Sequence, residues 1–173
     1  MNTDHYFLIG RKDVSHPFEA SFRLMSMTPG SVTIAKVIDA PSAVVWAELS
    51  AIEDHVEWMA DAVALTFHSE QRSGIGTSFS CLTKIGPFRT TDEMVIDQWE
   101  EGTVVGVTHH GAVTGTGTFT LVPNGGHTTV IWSEILTFPW WLAGRLGALC
   151  AQPIFHWIWK RNLDRLANRV SSN

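Results

Sequence analysis

The apolar positions of this chain change period twice. From Ser31, Val-Thr-Ile-Ala-Lys-Val-Ile-Asp is rich in β-branched residues and reads as a strand. It stops at Ala40-Pro41, because the residue before a proline is pushed out of the helical region. Pro41 or Ser42 then opens a helix with Val45, Trp46 and Leu49 at helical spacing, and a short second helix is expected from about Ile52 to Met59. Strand-like segments follow at 62–68, 76–85, 88–99, 103–110, 114–123 and 127–137. Ser73-Gly74, Gly86-Pro87, Glu101-Gly102, Gly111 and Asn124-Gly125-Gly126 separate them. Links this short imply an antiparallel meander, since parallel neighbours need crossovers of about a dozen residues or more. Helical period then returns: Gln152, His156, Trp159, Leu163, Leu166 and Val170 form one stripe, and Pro153 should kink or divide that helix.

These elements predict an α+β fold: a curved antiparallel sheet of about seven strands wrapped on a long C-terminal helix, with two short helices between strands 1 and 2. One helix cannot fill a strongly curled sheet, so a cavity between them is expected. Residues 1–30 lack a sustained period and end in Met25-Ser-Met27-Thr-Pro29-Gly30, which places a boundary there and a single domain over 31–173. Met25 or Met27 is an alternative start. The opening MNTDHYFLIGRKD has only a short apolar run beside Asp4, so no secretory signal is expected and a cytoplasmic location is. Phe138 to Trp159 mimics a membrane span, but Arg145, Gln152, Pro153 and His156 interrupt it, and a buried helix is the better reading.

Composition narrows the function classes. The 173 residues carry 17 acidic and 12 basic side chains, and a formal charge of −5 offers no basic field for nucleic acid. Cys81 and Cys150 form no metal knuckle, and both are expected to be buried structural thiols. No HExxH is present, and His109-His110 on a strand point to opposite faces, so neither a metal nor another cofactor is expected. Gly74-Ile-Gly76 leads into a strand and not a helix, so it is no dinucleotide fingerprint. Gly115-Thr-Gly117 sits inside a strand, where glycine permits bending or leaves room for a ligand.

Ile38-Asp-Ala40-Pro41-Ser-Ala-Val-Val45-Trp46-Ala-Glu-Leu49, then Ile52 and Trp58, open a recognisable series of motifs. Gly74-Ile-Gly76-Thr77, Phe119-Thr-Leu121-Val-Pro123, Gly126-His-Thr128-Thr-Val130 and Leu163…Leu166 continue it. In this order they resemble the START-domain, birch-pollen-allergen-like superfamily (SRPBCC), in its polyketide-cyclase/dehydrase-like branch, over about 31–170. A proline usually follows soon after the tryptophan at position 58; Met59-Ala60-Asp61 stands there instead. The resemblance implies a helix-grip fold whose cavity binds hydrophobic small molecules, in members that are lipid carriers, ligand sensors, or cyclases and dehydratases.

Strand alternation nominates the cavity lining. Phe88, Met94 and Ile96 share a parity with Thr90 and Asp92 and face inward; Val63, Leu65 and Phe67 do so in the first meander strand, and Phe79 and Cys81 in the next. In 127–137, Val130, Trp132, Glu134 and Leu136 are the favoured inward set, with the opposite register through Ile131 and Ile135 nearly as good. Asp92 and Glu134 are then carboxyls in an apolar space, candidates for acid–base work together with His109. The competing reading puts each carboxyl in water at the rim, or paired with Arg89 or Arg145. Candidate ligand contacts are Trp58, Phe67, Phe79, Met94, Phe119, Trp132, Glu134, His156 and Trp159. Ordinary core packing competes for the tryptophans. Trp140 and Trp141 cannot both be buried on one helix face, and one is expected beside the cavity mouth, open to a membrane or partner.

Three functions fit these features. The best supported is binding of a hydrophobic small molecule, lipid-like or aromatic, in the cavity. A polyketide cyclase or dehydratase acting through an acid–base residue of the same cavity is the second, and a peripheral membrane-associated lipid transfer or assembly factor the third.

Overall fold

The computed structural model describes residues 30–172. The expected extension and its alternative starts, Gly30 apart, lie outside the described residues. Strand β1 (Ser31–Ile38) leads to helix α1 (Ser42–Ser50), a 3-10 turn (Ile52–Asp54) and the single-turn helix α2 (His55–Trp58). Strands β2 (Ala62–Phe67), β3 (Ser78–Ile85), β4 (Phe88–Glu100), β5 (Val104–His110), β6 (Thr114–Asn124) and β7 (His127–Thr137) follow, then a 3-10 turn (Trp140–Leu142) and helix α3 (Gly144–Ser172).

The seven strands form one antiparallel sheet in the order β1-β7-β6-β5-β4-β3-β2. The meander is as expected, and β1 closes it against the last strand, Ile34 opposite Trp132. Gly30 already belongs to this edge. Its carbonyl accepts the Leu136 N–H at 2.8 Å, its φ is 88°, and a Cβ there would lie 2.0 Å from the Leu136 carbonyl oxygen. Only glycine meets both demands.

Two expectations of strand facing need correction. Val63 is half exposed, because a bulge between Ala62 and Ala64 turns it out and buries Ala62 instead. Phe88 is 76% exposed because it sits at the tip of the β3–β4 hairpin, past the area the helix covers. A second bulge, at Asp97, reverses parity along β4. Ile96 is buried on one side of it, and Trp99 beyond it packs edge-on against Trp46 at 5.2 Å.

Helix α3 lies against β1, β7, α1 and α2. Its buried residues are concentrated in the second half, at Ile158, Trp159, Asn162, Leu163, Leu166 and Val170; the first half buries only Ala148. Pro153 does not divide the helix. The stripe therefore runs as expected from Trp159 onward, each buried leucine contributing about 1.5–3 kcal/mol. Within it Asn162 is fully buried, donating from Nδ2 to Asp61 Oδ1 at 2.6 Å and accepting the Ala60 N–H at 3.0 Å. This side chain pins α3 to the α2–β2 link. His55, packed on Trp58 at 4.9 Å, has a ring nitrogen 2.9 Å from the Leu49 carbonyl, and burial lowers its pKa from 6.5 to about 4.

Asn162→Ala strands the Ala60 N–H and a buried carboxyl, and is expected to cost about 2–3 kcal/mol, read from the urea midpoint. His55 stays neutral in the fold while the unfolded chain takes up a proton between pH 6.5 and 4. Its contribution is thus complete above that window and lost as pH falls through it, by about 3 kcal/mol for a shift of this size. His55→Gln, which keeps a donor for Leu49, should show that much less acid destabilisation than the parent in urea titrations at the two ends of the window.

Candidate functional site

Between the sheet, residues 52–61 and the middle of α3, at Phe155 and Trp159, lies a cavity of about 210 Å³. Its apolar walls include Phe79, Met94, Val107, Phe119, Trp132 and Trp159. Ring contacts hold several of these in place: Trp132 lies 4.7 Å from Phe119 and 5.1 Å from Trp159, and Phe155 stacks on Trp159 at 5.1 Å.

One wall is polar, and its construction begins with glycine. His109 on β5 and Glu134 on β7 are separated by β6, so roughly 9.6 Å of sheet divides their strands. The two side chains still meet, His109 Nε2 lying 3.3 Å from Glu134 Oε2, because β6 presents glycines between them. Gly115 is opposite His109 and Gly117 opposite Glu134. A Cβ on Gly117 would come within 2.3 Å of Glu134 Oε1, and one on Gly115 would lie 2.1 Å from the Ile135 carbonyl oxygen of β7 and 3.2 Å from His109 Cε1. The other Glu134 oxygen accepts the Trp132 indole N–H at 2.8 Å. Asp92 on β4 completes the wall, accepting the Thr90 hydroxyl at 3.3 Å and the Ala112 N–H at 3.2 Å. A third glycine serves it, since a Cβ on Gly111 would lie 1.9 Å from Asp92 Oδ1.

Burial works to lower the His109 pKa, but the hydrogen bond and charge of Glu134, the charge of Asp92 and a backbone hydrogen bond at Val113 outweigh it and raise the net value. Burial raises the Asp92 carboxyl, more than its hydrogen bonds and His109 lower it. The wall thus sets an imidazole that holds its proton more firmly than an ordinary histidine beside a carboxyl that burial makes a better proton acceptor than an ordinary aspartate. Cys81 also lines the cavity, but burial pushes its thiol up to about 11, which removes it as a thiolate nucleophile at neutral pH. Among the described residues no group of three His, Cys, Asp or Glu side chains is arranged to hold a metal ion.

A family model described as "Polyketide cyclase / dehydrase and lipid transport" matches residues 29–171. The chain belongs to this family, a polyketide-cyclase-like branch of the SRPBCC superfamily. Among solved structures, TTHA0849 from Thermus thermophilus is 18% identical with a TM-score of 0.67, over 82% of this chain and 97% of that one. The Zhui aromatase/cyclase from Streptomyces sp. R1128 is 12% identical with a TM-score of 0.64, over 82% and 93%. Ara h 8.0201 is 12% identical at 0.59, over 83% and 98%. At these identities the likeness is one of fold: the helix-grip arrangement. No curated protein matches the sequence significantly.

Within this family member, the cavity brings together Phe79, Met94, Phe119, Trp132, Glu134 and Trp159 of the nominated contacts, with Asp92 and His109. Three nominated residues lie elsewhere. Trp58 is 1% exposed in the core, edge-on to Phe119 and Trp132 at 6.0 and 6.4 Å, and its indole N–H has no partner among the described residues. Phe67 stands outside the lining, tilted against Phe79 at 5.5 Å with the Arg72 guanidinium over it. His156 is exposed in an outer groove with Lys36 and Lys160.

The error at His156 has a simple origin. Extending the stripe back from Trp159 by three residues gives His156, whereas four gives Phe155, the ring that actually roofs the cavity. His55 and Asp61 also line the cavity and escaped notice, because neither lies on a strand whose alternation could be read. The arginine pairing of the carboxyls is replaced by the partners described above. Cys150 is exposed, not buried, since it falls on the outer side of α3.

Glu134→Gln should lower the His109 pKa below its parent value, followed by NMR titration of the imidazole. Gly117→Ala should do the same by displacing the carboxylate, at a cost of about 1–3 kcal/mol in stability. In the parent, the pair's contribution is complete below the ordinary imidazole pKa and is lost as pH rises through the raised one.

Proposed function

We propose that this domain binds a small, mainly apolar ligand in the cavity beneath α3, with an oxygen of the ligand held by His109 and Asp92. The observation that carries this reading is the combination of apolar walls with a polar wall on which His109, Glu134 and Asp92 are brought together. About 150 Å³ of dry cavity accommodates benzene, so about 210 Å³ suits roughly eight to ten heavy atoms: a substituted ring, a small bicycle or a short chain. Burial of the apolar portion supplies most of the affinity, and the polar wall sets orientation.

Native mass spectrometry of gently purified protein tests this. A small co-purifying mass is expected on the parent and should be lost in Val107→Trp, which fills the cavity from β5. Absence of any bound mass, together with no uptake of added ring compounds, contradicts the reading, as does binding that Val107→Trp leaves intact.

A second reading, acid–base conversion of the ligand by cyclisation or dehydration, is favoured by the His109–Glu134 contact and by the fold shared with an aromatase/cyclase. His109 would act as the proton donor and Asp92 as the acceptor. His109→Gln separates the two readings: it removes conversion while leaving a ligand bound if the domain is an enzyme, and changes affinity alone if the domain only binds.

A further inference from the structure

The first half of α3 is apolar on its outside as well as its inside. Leu146, Leu149, Cys150, Pro153, Ile154 and Trp157 all face solvent. They follow one another at the 3-1-3-1-3 spacing of a single helical face. The preceding turn adds Trp140 and Trp141, 88% and 57% exposed, so both, and not one, stand open. A helix apolar all round is ordinarily buried on every side. Charge identifies what covers this one. From Phe138 to Leu163 the chain has no Asp or Glu, but it has Arg145, Lys160 and Arg161, in a protein whose formal charge is −5. The Arg161 guanidinium rests 4.8 Å over the Trp157 ring, at the boundary between apolar face and basic fringe.

We propose that this face docks on an anionic lipid bilayer. Exposed tryptophans suit the interface, where the indole body is apolar and its N–H is wet, and basic residues at the edge of an apolar helical stripe meet acidic headgroups. The helix lies on the bilayer and does not cross it: no helix among the described residues is long and apolar enough to span a membrane. Two other occupants fit less well. A second copy related by a twofold axis would set the same three basic residues against each other. Residues 1–29 contain three acidic and three basic side chains, and so carry no net charge complementary to the fringe. The docked face adjoins the cavity, since Phe138, beside Pro139-Trp140, packs at 6.2 Å on the cavity-lining Phe155. Docking itself does not require the ligand-binding reading to hold.

Sedimentation of the full chain with vesicles tests the proposal. Vesicles of phosphatidylcholine with about a quarter phosphatidylglycerol should bind at least tenfold better than phosphatidylcholine alone, as three basic residues at an anionic surface require. Trp140→Ser with Trp157→Ser, both at exposed positions, should lower that binding at least tenfold at unchanged circular dichroism. Lys160→Glu with Arg161→Glu should abolish the preference for phosphatidylglycerol. Cys150 supplies an independent readout: its thiol should react freely with a maleimide in solution and about tenfold more slowly on vesicles. Failure to sediment with the mixed vesicles overturns the proposal. So does a dimer that the tryptophan substitutions dissociate, which makes a second copy the occupant, or a Cys150 already protected in a lipid-free monomer, which makes residues 1–29 the cover.

Discussion

The seating of α3 on the sheet governs everything else. Ile158, Trp159, Leu163, Leu166 and Val170 bury its second half, and Asn162 locks it to the link before β2 through two hydrogen bonds. The first half buries far less and is tied to the sheet by Gln152, whose Nε2 donates to the Ser31 carbonyl at 2.9 Å. It extends over the sheet as a roof, touching the interior chiefly through Ala148 and Phe155. A helix packed into the core along its second half and held more lightly along its first leaves space beneath its middle and an uncovered surface above it. The cavity and the exposed apolar face are thus two consequences of one packing asymmetry.

The polar wall depends on a different constraint, the absence of side chains. Strands separated by a third strand do not normally exchange side-chain contacts. Gly115 and Gly117 remove the obstruction, and Gly111 does the same for Asp92 in the next loop. An ion pair in such surroundings gains little net stability, because desolvation offsets its attraction. The arrangement is therefore better understood as holding a proton donor in place over an apolar cavity than as holding the fold together. The oxygens of Glu134 are occupied by His109 and Trp132, so Glu134 positions the imidazole.

Much of this was legible in the sequence, for stated physical reasons. β-Branched runs punctuated by glycine and proline located every strand of the sheet, and the short links dictated its antiparallel order. Alternation placed Asp92, Met94, Trp132 and Glu134 inside, since a period of two admits only two registers. It failed at Val63, where a bulge adds a residue that no pattern announces. On α3 it erred at His156, because positions three and four residues back both fit a helical stripe. Glycines inside a strand pattern imply bends or room for a ligand. Their actual role, room for the protein's own carboxylates and imidazole, emerges only from the pairing of β5, β6 and β7. The outward stripe from Leu146 to Trp157 stood in the sequence throughout, masked by the expectation that a helix shows one apolar face.

NMR titration with a naphthol tests the central claim most directly, because it asks whether the space under α3 admits a guest. The account predicts saturable shifts at Phe119, at the Trp132 indole N–H and at the His109 imidazole, with His156 and Lys160 in the outer groove unchanged. Saturating shifts confined to that outer groove, or none at the cavity walls up to the solubility of the probe, would contradict it.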